Sequence, residues 1–235
     1  DLDAERITPE DLTARARQSR SPVIAFTYNE PTVQFEYILD SSAAARSHGV
    51  RSIIISNGYI LPDAGRMLAK NLDAIKIDLK AFTEGFYRTV CGARLAPVLD
   101  NLVSLRSLGK WMELGVLVIP TLNDSPAEIR NMSAWVRKNL SADVPMHFTR
   151  FHAMYRIQNL PPTPVATLER CRTIAMDEGI RYAYVGNVNG HRWENTYCHS
   201  CGTMIIERSG FYHVDKRVKY GCCPRCRTRI PGVWA

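Results

Sequence analysis

The sequence predicts an α/β fold, in which a parallel sheet is covered by helices, followed by a small cysteine-rich module. Short runs of β-branched residues alternate with amphipathic segments of helical spacing, which is the order of βαβ units. The apolar runs are unbroken, as expected for strands buried on both faces of a parallel sheet. Five of the seven cysteines crowd into residues 198–226, where the composition changes. An open Rossmann-like sheet and a closed or partial barrel both fit this pattern.

The helices are predicted from their terminal residues, and the strands from their β-branched runs. Thr8 and Pro9 are typical of an N-cap and of the first position of a helix, and Ser125-Pro126 repeats that signal. Gly49 and Gly179 stand where left-handed caps are expected. Helices are therefore predicted after Thr8 and over 31–48, 63–70, parts of 83–108, 126–140 and 164–178. Strands are predicted over 23–28, 51–56, 74–79, 114–119, 146–150 and 181–185.

Composition places the chain among globular proteins. Of its 235 residues, 46% are hydrophobic and 23% are charged, which is ordinary for a globular domain. No uninterrupted apolar run approaches the length of a membrane span. No secretion leader is visible, although the chain opens on Asp1 instead of Met. Clustered cysteines suit a metal site in a reducing compartment better than disulfides, so we expect a cytoplasmic protein without a membrane partner.

The net charge is unevenly spread along the chain. Of the formal +7, the residues from Cys198 onward carry +5. A solvated basic surface is one explanation, and a module that contacts nucleic acid or a partner protein is another. The cations lack the aromatic interleaving typical of single-strand binders, although Phe211 and Tyr212 are present.

Polar residues follow the first two predicted strands, where ligands bind in parallel α/β folds. Glu30, in Tyr28-Asn29-Glu30-Pro31, is a carboxylate that could accept hydrogen bonds from an ammonium group; alternatively, it caps the helix that starts at Pro31. Asn57 follows the second strand, but Asn beside Gly58 is also ordinary turn chemistry.

Charged residues alternate on the third predicted strand. Lys76, Asp78 and Lys80 share one face, because alternate residues of a strand point the same way. Unpaired buried charge is costly, so this face is expected to be ion-paired, wet or ligand-facing.

Further candidates lie on the fifth predicted strand and beside a glycine. Arg150 and His152 share one face near the end of that strand, whereas His147 points away from Arg150 and is the weaker candidate. For Cys91, next to Gly92, a reactive thiol is one alternative, but a buried and inert side chain is expected.

The cysteine-rich tail predicts a metal site. Two C-x2-C knuckles separated by 21 residues can close four thiolates around a tetrahedral Zn²⁺. Cys222 is an alternative to Cys223 as a ligand, and a rubredoxin-like iron is an alternative to zinc. A strand over 203–206 and a turn at 209–210 predict a hairpin between the knuckles. The predicted ligands are Cys198, Cys201, Cys223 and Cys226.

Six segments follow one another in a distinctive order. They are Tyr-Asn-Glu-Pro (28–31), Ser-Asn-Gly-Tyr (56–59), Lys-Ile-Asp-Leu-Lys (76–80), Phe-Tyr-Arg-Thr-Val-Cys-Gly-Ala (86–93), Ile-Pro-Thr-Leu-Asn-Asp (119–124) and Arg-Phe-His (150–152). In this order they resemble the radical S-adenosylmethionine (SAM) enzymes of the AmmeMemoRadiSam system, which are similar to the activating enzyme of pyruvate formate-lyase. The resemblance covers nearly the whole chain, including the tail from Asn195-Thr196-Tyr197-Cys198 to Ile230-Pro231-Gly232-Val233-Trp234.

The resemblance implies a set of SAM-binding residues. Glu30 would occupy the slot that binds the SAM amino group, with Tyr28 and Asn29 in place of two glycines. Asn57 would lie near the SAM ribose, Asp78 and Lys80 would match the family's Asp-Leu-Lys at the SAM site, and His152 would lie near the SAM sugar.

The resemblance also implies a partial (βα)6 barrel over 1–187, joined by a linker over 188–197 to a zinc ribbon over 198–235. The family's chemistry is one-electron reduction of SAM by a [4Fe–4S] cluster, followed by hydrogen abstraction from a substrate, which requires an electron donor. The three cluster ligands are spaced C-x3-C-x2-C, and no such triplet occurs in this sequence. The first strand and cluster loop would precede Asp1, so this chain is expected to be inactive alone. The substrate is not predicted, and a protein is one alternative.

Overall fold

The computed structural model describes residues 5–210 and 213–234. Phe211 and Tyr212, the aromatic residues considered above for nucleic-acid binding, lie outside the described residues. The chain divides into two compact units, one made of the residues up to Ile77 with Pro97–Met112, and the other of Asp78–Ala96 with the residues from Glu113 onward. Within the described ranges, no helix combines the length and the apolar character that crossing a bilayer requires.

Helices and strands alternate through most of the chain, as predicted. The α-helices are α1 (Pro9–Gln18), α2 (Phe35–Ser47), α3 (Pro62–Asn71), α4 (Glu84–Phe86), α5 (Leu95–Ser107), α6 (Pro126–Asn139) and α7 (Val165–Asp177). The strands are β1 (Val23–Phe26), β2 (Arg51–Ser56), β3 (Ala74–Asp78), β4 (Trp111–Val118), β5 (Met146–Arg150), β6 (Ala183–Gly186), β7 (Thr196–Tyr197), β8 (Met204–Ser209) and β9 (His213–Lys216).

The predicted caps are present. Thr8 Oγ1 accepts a hydrogen bond from the Asp11 amide at 3.1 Å, and Ser125 Oγ accepts one from the Glu128 amide at 3.2 Å. These bonds satisfy backbone donors that the first turn of a helix leaves unpaired. Gly49, beyond the end of α2, has φ +72°, the left-handed conformation expected from the sequence.

Four pairs of neighbouring strands in the large sheet are parallel. Strand β1 pairs with β2, β2 with β3, β4 with β5, and β5 with β6, each in parallel register. The six strands are ordered β1-β2-β3-β4-β5-β6. A doubly wound sheet would reverse its strand order at a switch point. The order observed here excludes the open Rossmann alternative and confirms an α/β fold with a six-stranded parallel sheet.

Each unit buries its own apolar side chains. In the first unit, the buried residues come from strands β1–β3 and from the helices that cover them, and they include Ile24, Ile38, Ile54, Leu68, Ile75 and Leu102. In the second unit they come from β4, β5, α6 and α7, and include Leu114, Val116, Ile129, Met132, Phe148 and Leu168. Burial on this scale supplies the main favourable term in folding.

Three segments differ in kind from the sequence predictions, and the bounds of β1, β4 and β6 differ from the predicted ones by up to three residues. The helix predicted over 31–48 starts as a 3-10 helix, Pro31–Gln34, before α2. The helical stretch within 83–108 contains a π-helical turn, Tyr87–Cys91, between α4 and α5. In the stretch predicted as a linker, β7 pairs antiparallel with β8, and β7-β8-β9 form a separate three-stranded sheet.

Candidate functional site

The Glu30 carboxylate lies beyond the carboxyl end of β1 and is held by four donors. Its Oε1 accepts hydrogen bonds from Thr32 N at 3.2 Å, Thr32 Oγ1 at 2.9 Å and Ser56 Oγ at 2.7 Å. Its Oε2 accepts one from Asn57 N at 2.8 Å. Glu30 therefore caps the short helix at Pro31, which was the alternative to ligand binding considered from the sequence. It also links the ends of β1 and β2 through its hydrogen bonds.

The Glu30 carboxylate has no cationic partner among the described residues, since none of their ion pairs includes it. A carboxylate offers about four acceptor positions, two on each oxygen. The single bond to Oε2 leaves that oxygen able to accept another donor. A half-buried carboxylate held by neutral donors is suited to a cationic ligand group such as an ammonium.

The loop after β2 positions the Asn57 amide that bonds Glu30. Asn57 Oδ1 accepts a hydrogen bond from Tyr59 N at 2.7 Å, which is the ordinary turn chemistry expected there. Gly58 has φ +73°, and a Cβ at that position would lie 2.9 Å from Ile77 Cγ2. The buried Asn101 of α5 donates to the Gly58 carbonyl at 3.1 Å. The sequence analysis did not identify Asn101, because a lone Asn in a helix carries no local signal.

In the second unit, the end of β3 carries an ion pair. Lys80 Nζ lies 2.9 Å from Asp78 Oδ2, and both side chains are half-buried. The buried Asn123 donates to the Lys80 carbonyl at 2.7 Å and to the Leu117 carbonyl at 2.9 Å, which ties this segment to β4. Tyr87 OH accepts from Lys80 N at 3.3 Å, and burial raises the pKa of Tyr87. The self-neutralising pair considered for this face is therefore present.

Arg150 and His152, the residues predicted at the end of β5, have no described contact with each other. Arg150 Nε donates to the Thr163 carbonyl at 2.9 Å, whereas His152 is exposed, and no described contact connects it to Asp78 or Lys80.

His147, the weaker candidate in the sequence, is held more firmly than His152. Its Nε2 lies 2.7 Å from Glu113 Oε2. Its ring stacks on Tyr184 with centroids 4.8 Å apart and an interplanar angle of 19°. A carboxylate on one ring nitrogen fixes the orientation of an imidazole and favours the tautomer that leaves the other nitrogen as an acceptor.

Cys91 corrects one expectation, because it is exposed and not buried. It ends the π-helical turn, and Gly92 follows in the left-handed conformation with φ +62°. The neighbouring Thr89, Val90 and Gly92 are exposed as well, so this turn lies at the surface. Partial desolvation of the sulfur nevertheless raises the pKa of its thiol, although the charge of Lys80 acts in the opposite direction.

The four predicted cysteine ligands come together in the tail. The Sγ atoms of Cys198, Cys201, Cys223 and Cys226 all lie within 4.8 Å of one another. Cys198 Sγ is 3.6 Å from Cys226 Sγ, and Cys201 Sγ is 3.7 Å from Cys223 Sγ. Metal–sulfur bonds of about 2.3 Å in a tetrahedron place sulfurs ~3.8 Å apart, so the cluster has the dimensions of a tetrathiolate metal site.

Each knuckle has a threonine two residues beyond its second cysteine. Thr203 Oγ1 lies 3.3 Å from Cys201 Sγ, and Thr228 Oγ1 lies 3.3 Å from Cys226 Sγ. These hydroxyls and the threonine amides lower the pKa of both thiols, that of Cys226 to about 6, because they stabilise the thiolate. Burial instead raises the pKa of Cys198 to about 11.

The tail shares a small apolar core with β6. Tyr184 of β6 and Tyr182, which directly precedes that strand, form one buried cluster with residues of the tail that include Ile205, Ile206 and Ile230. Tyr182 OH also lies 2.7 Å from His199 Nδ1, beside the first knuckle. The tail therefore contacts β6 through apolar side chains as well as through a hydrogen bond.

Comparison with known proteins gave matches in sequence and in structure, although no family model matches the chain. The chain is 42% identical over 202 residues to the uncharacterized protein MJ0808 of Methanocaldococcus jannaschii, covering 86% of this chain and 60% of that protein. It is 23% identical over 131 residues to the pyruvate formate-lyase-activating enzyme of Clostridium pasteurianum, covering 56% of this chain and 54% of the enzyme.

Among solved structures, SuiB of Streptococcus suis bound to S-adenosylmethionine superposes with a TM-score of 0.62 at 14% identity, over 85% of this chain and 48% of SuiB. The chain thus shares the fold of the matching part of SuiB and is distantly similar in sequence to a pyruvate formate-lyase-activating enzyme. It spans 60% and 54% of the lengths of the two sequence relatives.

Proposed function

We propose that this chain is the SAM-binding body of a radical SAM enzyme of the AmmeMemoRadiSam type. The observation that carries the proposal is the Glu30 carboxylate, which four neutral donors hold at the carboxyl ends of β1 and β2 without a cationic partner among the described residues. The ammonium group of SAM would supply that missing charge, and the similarity to SuiB and to the clostridial enzyme supports the choice of ligand.

The resemblance to radical SAM enzymes proposes roles in SAM binding for the other predicted residues as well. Asn57 would face the ribose, Asp78 and Lys80 would contribute a neutralised polar pair, and His152 would lie near the sugar. Asn57 and Lys80 follow the carboxyl ends of β2 and β3, Asp78 is the last residue of β3, and His152 follows β5. The carboxyl ends of strands are where parallel α/β folds bind ligands.

A [4Fe–4S] cluster, when bound, supplies the electron that cleaves SAM reductively to a 5′-deoxyadenosyl radical and methionine. The cysteines of this chain do not fit that cluster, because the sequence contains no C-x3-C-x2-C triplet. The four clustered cysteines would all bind one metal and leave no open coordination position. The radical activity, the electron donor and the substrate are therefore proposed for a protein that includes cluster ligands beyond these residues. A protein substrate is one alternative.

For the tail we propose a structural Zn²⁺ on Cys198, Cys201, Cys223 and Cys226. Four protein thiolates fill a tetrahedral shell and leave no position for a substrate or water, so the ion would stabilise the fold and not act in catalysis. Iron would fit the same ligands, and elemental analysis of the purified protein distinguishes the two metals.

The SAM site is tested by binding. Isothermal titration calorimetry with S-adenosylhomocysteine, which keeps the amino group of SAM, is expected to detect binding to the wild-type chain. The variant Glu30→Gln should weaken it at least about tenfold, because a neutral amide replaces the charged acceptor. The matched control is Glu36→Gln, an exposed glutamate on α2, which should leave the affinity unchanged. Equal affinity of wild type and Glu30→Gln would refute the assignment of Glu30.

The radical activity is tested separately. The full-length protein, reduced anaerobically with dithionite in the presence of SAM, is expected to release 5′-deoxyadenosine, which chromatography detects. Binding of S-adenosylhomocysteine without 5′-deoxyadenosine from the full-length protein would leave a SAM-binding protein that is not a radical enzyme.

A further inference from the structure

A cavity of about 200 Å³ lies in the second unit, between β6 and the end of β8. A water molecule occupies ~30 Å³ of liquid, so the cavity has room for a small organic molecule. Its wall includes His147, Tyr184, Asn189, Glu194 and Arg208. None of these residues belongs to the proposed SAM site or to the four-cysteine cluster.

Arg208 is a positioned cation that forms no ion pair with a carboxylate of the described residues. Its backbone amide donates to Asn195 Oδ1 at 2.7 Å, and its Nη1 donates to the Glu194 carbonyl at 2.9 Å and to Thr196 Oγ1 at 2.8 Å. Its guanidinium carbon lies 5.6 Å from the centroid of the Tyr184 ring. Within the described part of the chain, Nε and Nη2 have no partner. That edge is the planar fork with which arginine binds a carboxylate through two hydrogen bonds.

Glu194 is an anion in the same wall and is also outside every described ion pair. Its Oε2 accepts a hydrogen bond from Gly190 N at 3.1 Å, and its Oε1 has no donor among the described residues. The cavity therefore presents one positive and one negative group, each held by neutral partners. A ligand that carries both charges matches this wall better than a simple anion or cation, because a simple ion would meet one like charge.

His147 adds a third polar group to the wall. Its Nε2 is engaged by Glu113 at 2.7 Å, and its Nδ1 has no partner among the residues that the structure describes. With Nε2 donating to the carboxylate, Nδ1 is an acceptor for a hydroxyl or ammonium proton of a bound molecule.

We propose that this cavity binds a small zwitterion of the α-amino-acid type. Its carboxylate would pair with the Nε and Nη2 edge of Arg208, its ammonium group would face Glu194, and His147 Nδ1 would accept a hydrogen bond from the ligand. The site is distinct from the proposed SAM site and requires neither SAM nor a cluster to be tested.

The test is calorimetric titration of the whole chain with L-alanine, L-glutamate and L-phenylalanine, each compared with its analogue that lacks the amino group (propanoate, glutarate and 3-phenylpropanoate). At least one amino acid is expected to bind, and at least about tenfold more tightly than its analogue. Histidine labelled with ¹⁵N, with the His147 signals assigned from the variant His147→Gln, should show a shift of Nδ1 on binding.

Variants separate the roles of the two charges. Arg208→Lys keeps the charge but removes the fork, so the affinity for the amino acid should fall about tenfold or more. The absorption spectrum of Co²⁺ bound to the four cysteines of the tail checks that the variant is folded. Arg217→Lys is the matched control, since Arg217 is an exposed arginine of the tail that pairs with Glu207 and Asp215. Glu194→Gln keeps the acceptor for Gly190 N. This variant should weaken the binding of the amino acid but not the binding of its analogue without the amino group.

The proposal is overturned if none of the three amino acids binds, if the analogues bind as tightly as the amino acids, or if Arg208→Lys and Arg217→Lys have the same affinity. Binding that leaves the His147 signals unmoved would also overturn it, because the ligand would then lie elsewhere.

Discussion

Two neighbouring cysteines offer a sharp test of the metal site. Cys223 belongs to the cluster of four sulfurs, whereas the adjacent Cys222 lies outside it and pairs through its backbone with Lys219 and Arg229. The sequence left open which of the two is a ligand. We predict that Cys223→Ser strongly weakens metal binding and that Cys222→Ser leaves it unchanged.

The expected magnitude follows from the closed geometry of the site. Structural zinc sites contribute roughly 10–16 kcal/mol, so an equal share for each of four ligands is about 2.5–4 kcal/mol. At 1.4 kcal/mol for each tenfold change, loss of one thiolate should weaken binding by about 10²–10³-fold. The three buried isoleucines of the tail contribute roughly 1.5–3 kcal/mol each, so the metal is expected to dominate the stability of the tail.

The assay is titration with Co²⁺, whose thiolate charge-transfer absorption reports the number of bound sulfurs, followed by competition with Zn²⁺. Hydrogen exchange of the metal-free protein then shows which part of the chain unfolds when the metal is removed. Amides of the tail from Cys198 to Ile230 should lose protection on chelation, while those of Val116 and Phe148 in the α/β sheet should keep it.

Two results would refute the reasoning. Equal metal affinity of Cys222→Ser and Cys223→Ser would show that either sulfur can serve as the metal ligand. Unchanged protection of the tail after chelation would show that its contact with Tyr182 and Tyr184 suffices to hold it folded.

Two further predictions concern stability. Burial raises the pKa of the Glu128 carboxyl, although its Oε1 accepts a hydrogen bond from Phe82 N at 2.6 Å. Between the ordinary pKa and the raised one, the folded state therefore binds more protons than the unfolded state. The free energy of unfolding falls as the pH rises through that range. Glu128→Gln, which keeps an acceptor, should match the wild type in acid and be more stable at alkaline pH in urea unfolding, and a constant difference at all pH values would contradict this. At Gly186 an added Cβ would lie 2.8 Å from Thr149 Cγ2, so Gly186→Ala should destabilise by about 1–3 kcal/mol. The control Gly85→Ala meets nothing within 4 Å and should be neutral or slightly stabilising in thermal unfolding.

Local sequence signals determined most of the secondary structure. Strands β2 and β5 have the predicted bounds, because β-branched or apolar runs between turn residues leave little choice. Helices α1 and α6 begin where Thr8 and Ser125 place the caps. The four clustered cysteines were also identified from spacing, since a C-x2-C pair can bring two sulfurs to one metal within a single knuckle.

Tertiary structure alone decided which side chains meet. The order of the sheet strands separated a sequential sheet from a doubly wound one, although both have the same local periodicity. The partner of His147 is Glu113, 34 residues earlier, and the donors to Glu30 include Ser56 and Asn57 from the next strand. Such pairs depend on strand register and on loop paths, because residues far apart in the chain approach one another only after the backbone has packed. The cavity beside Arg208 has the same origin: no local pattern in the sequence indicates that β6 and the tail enclose it.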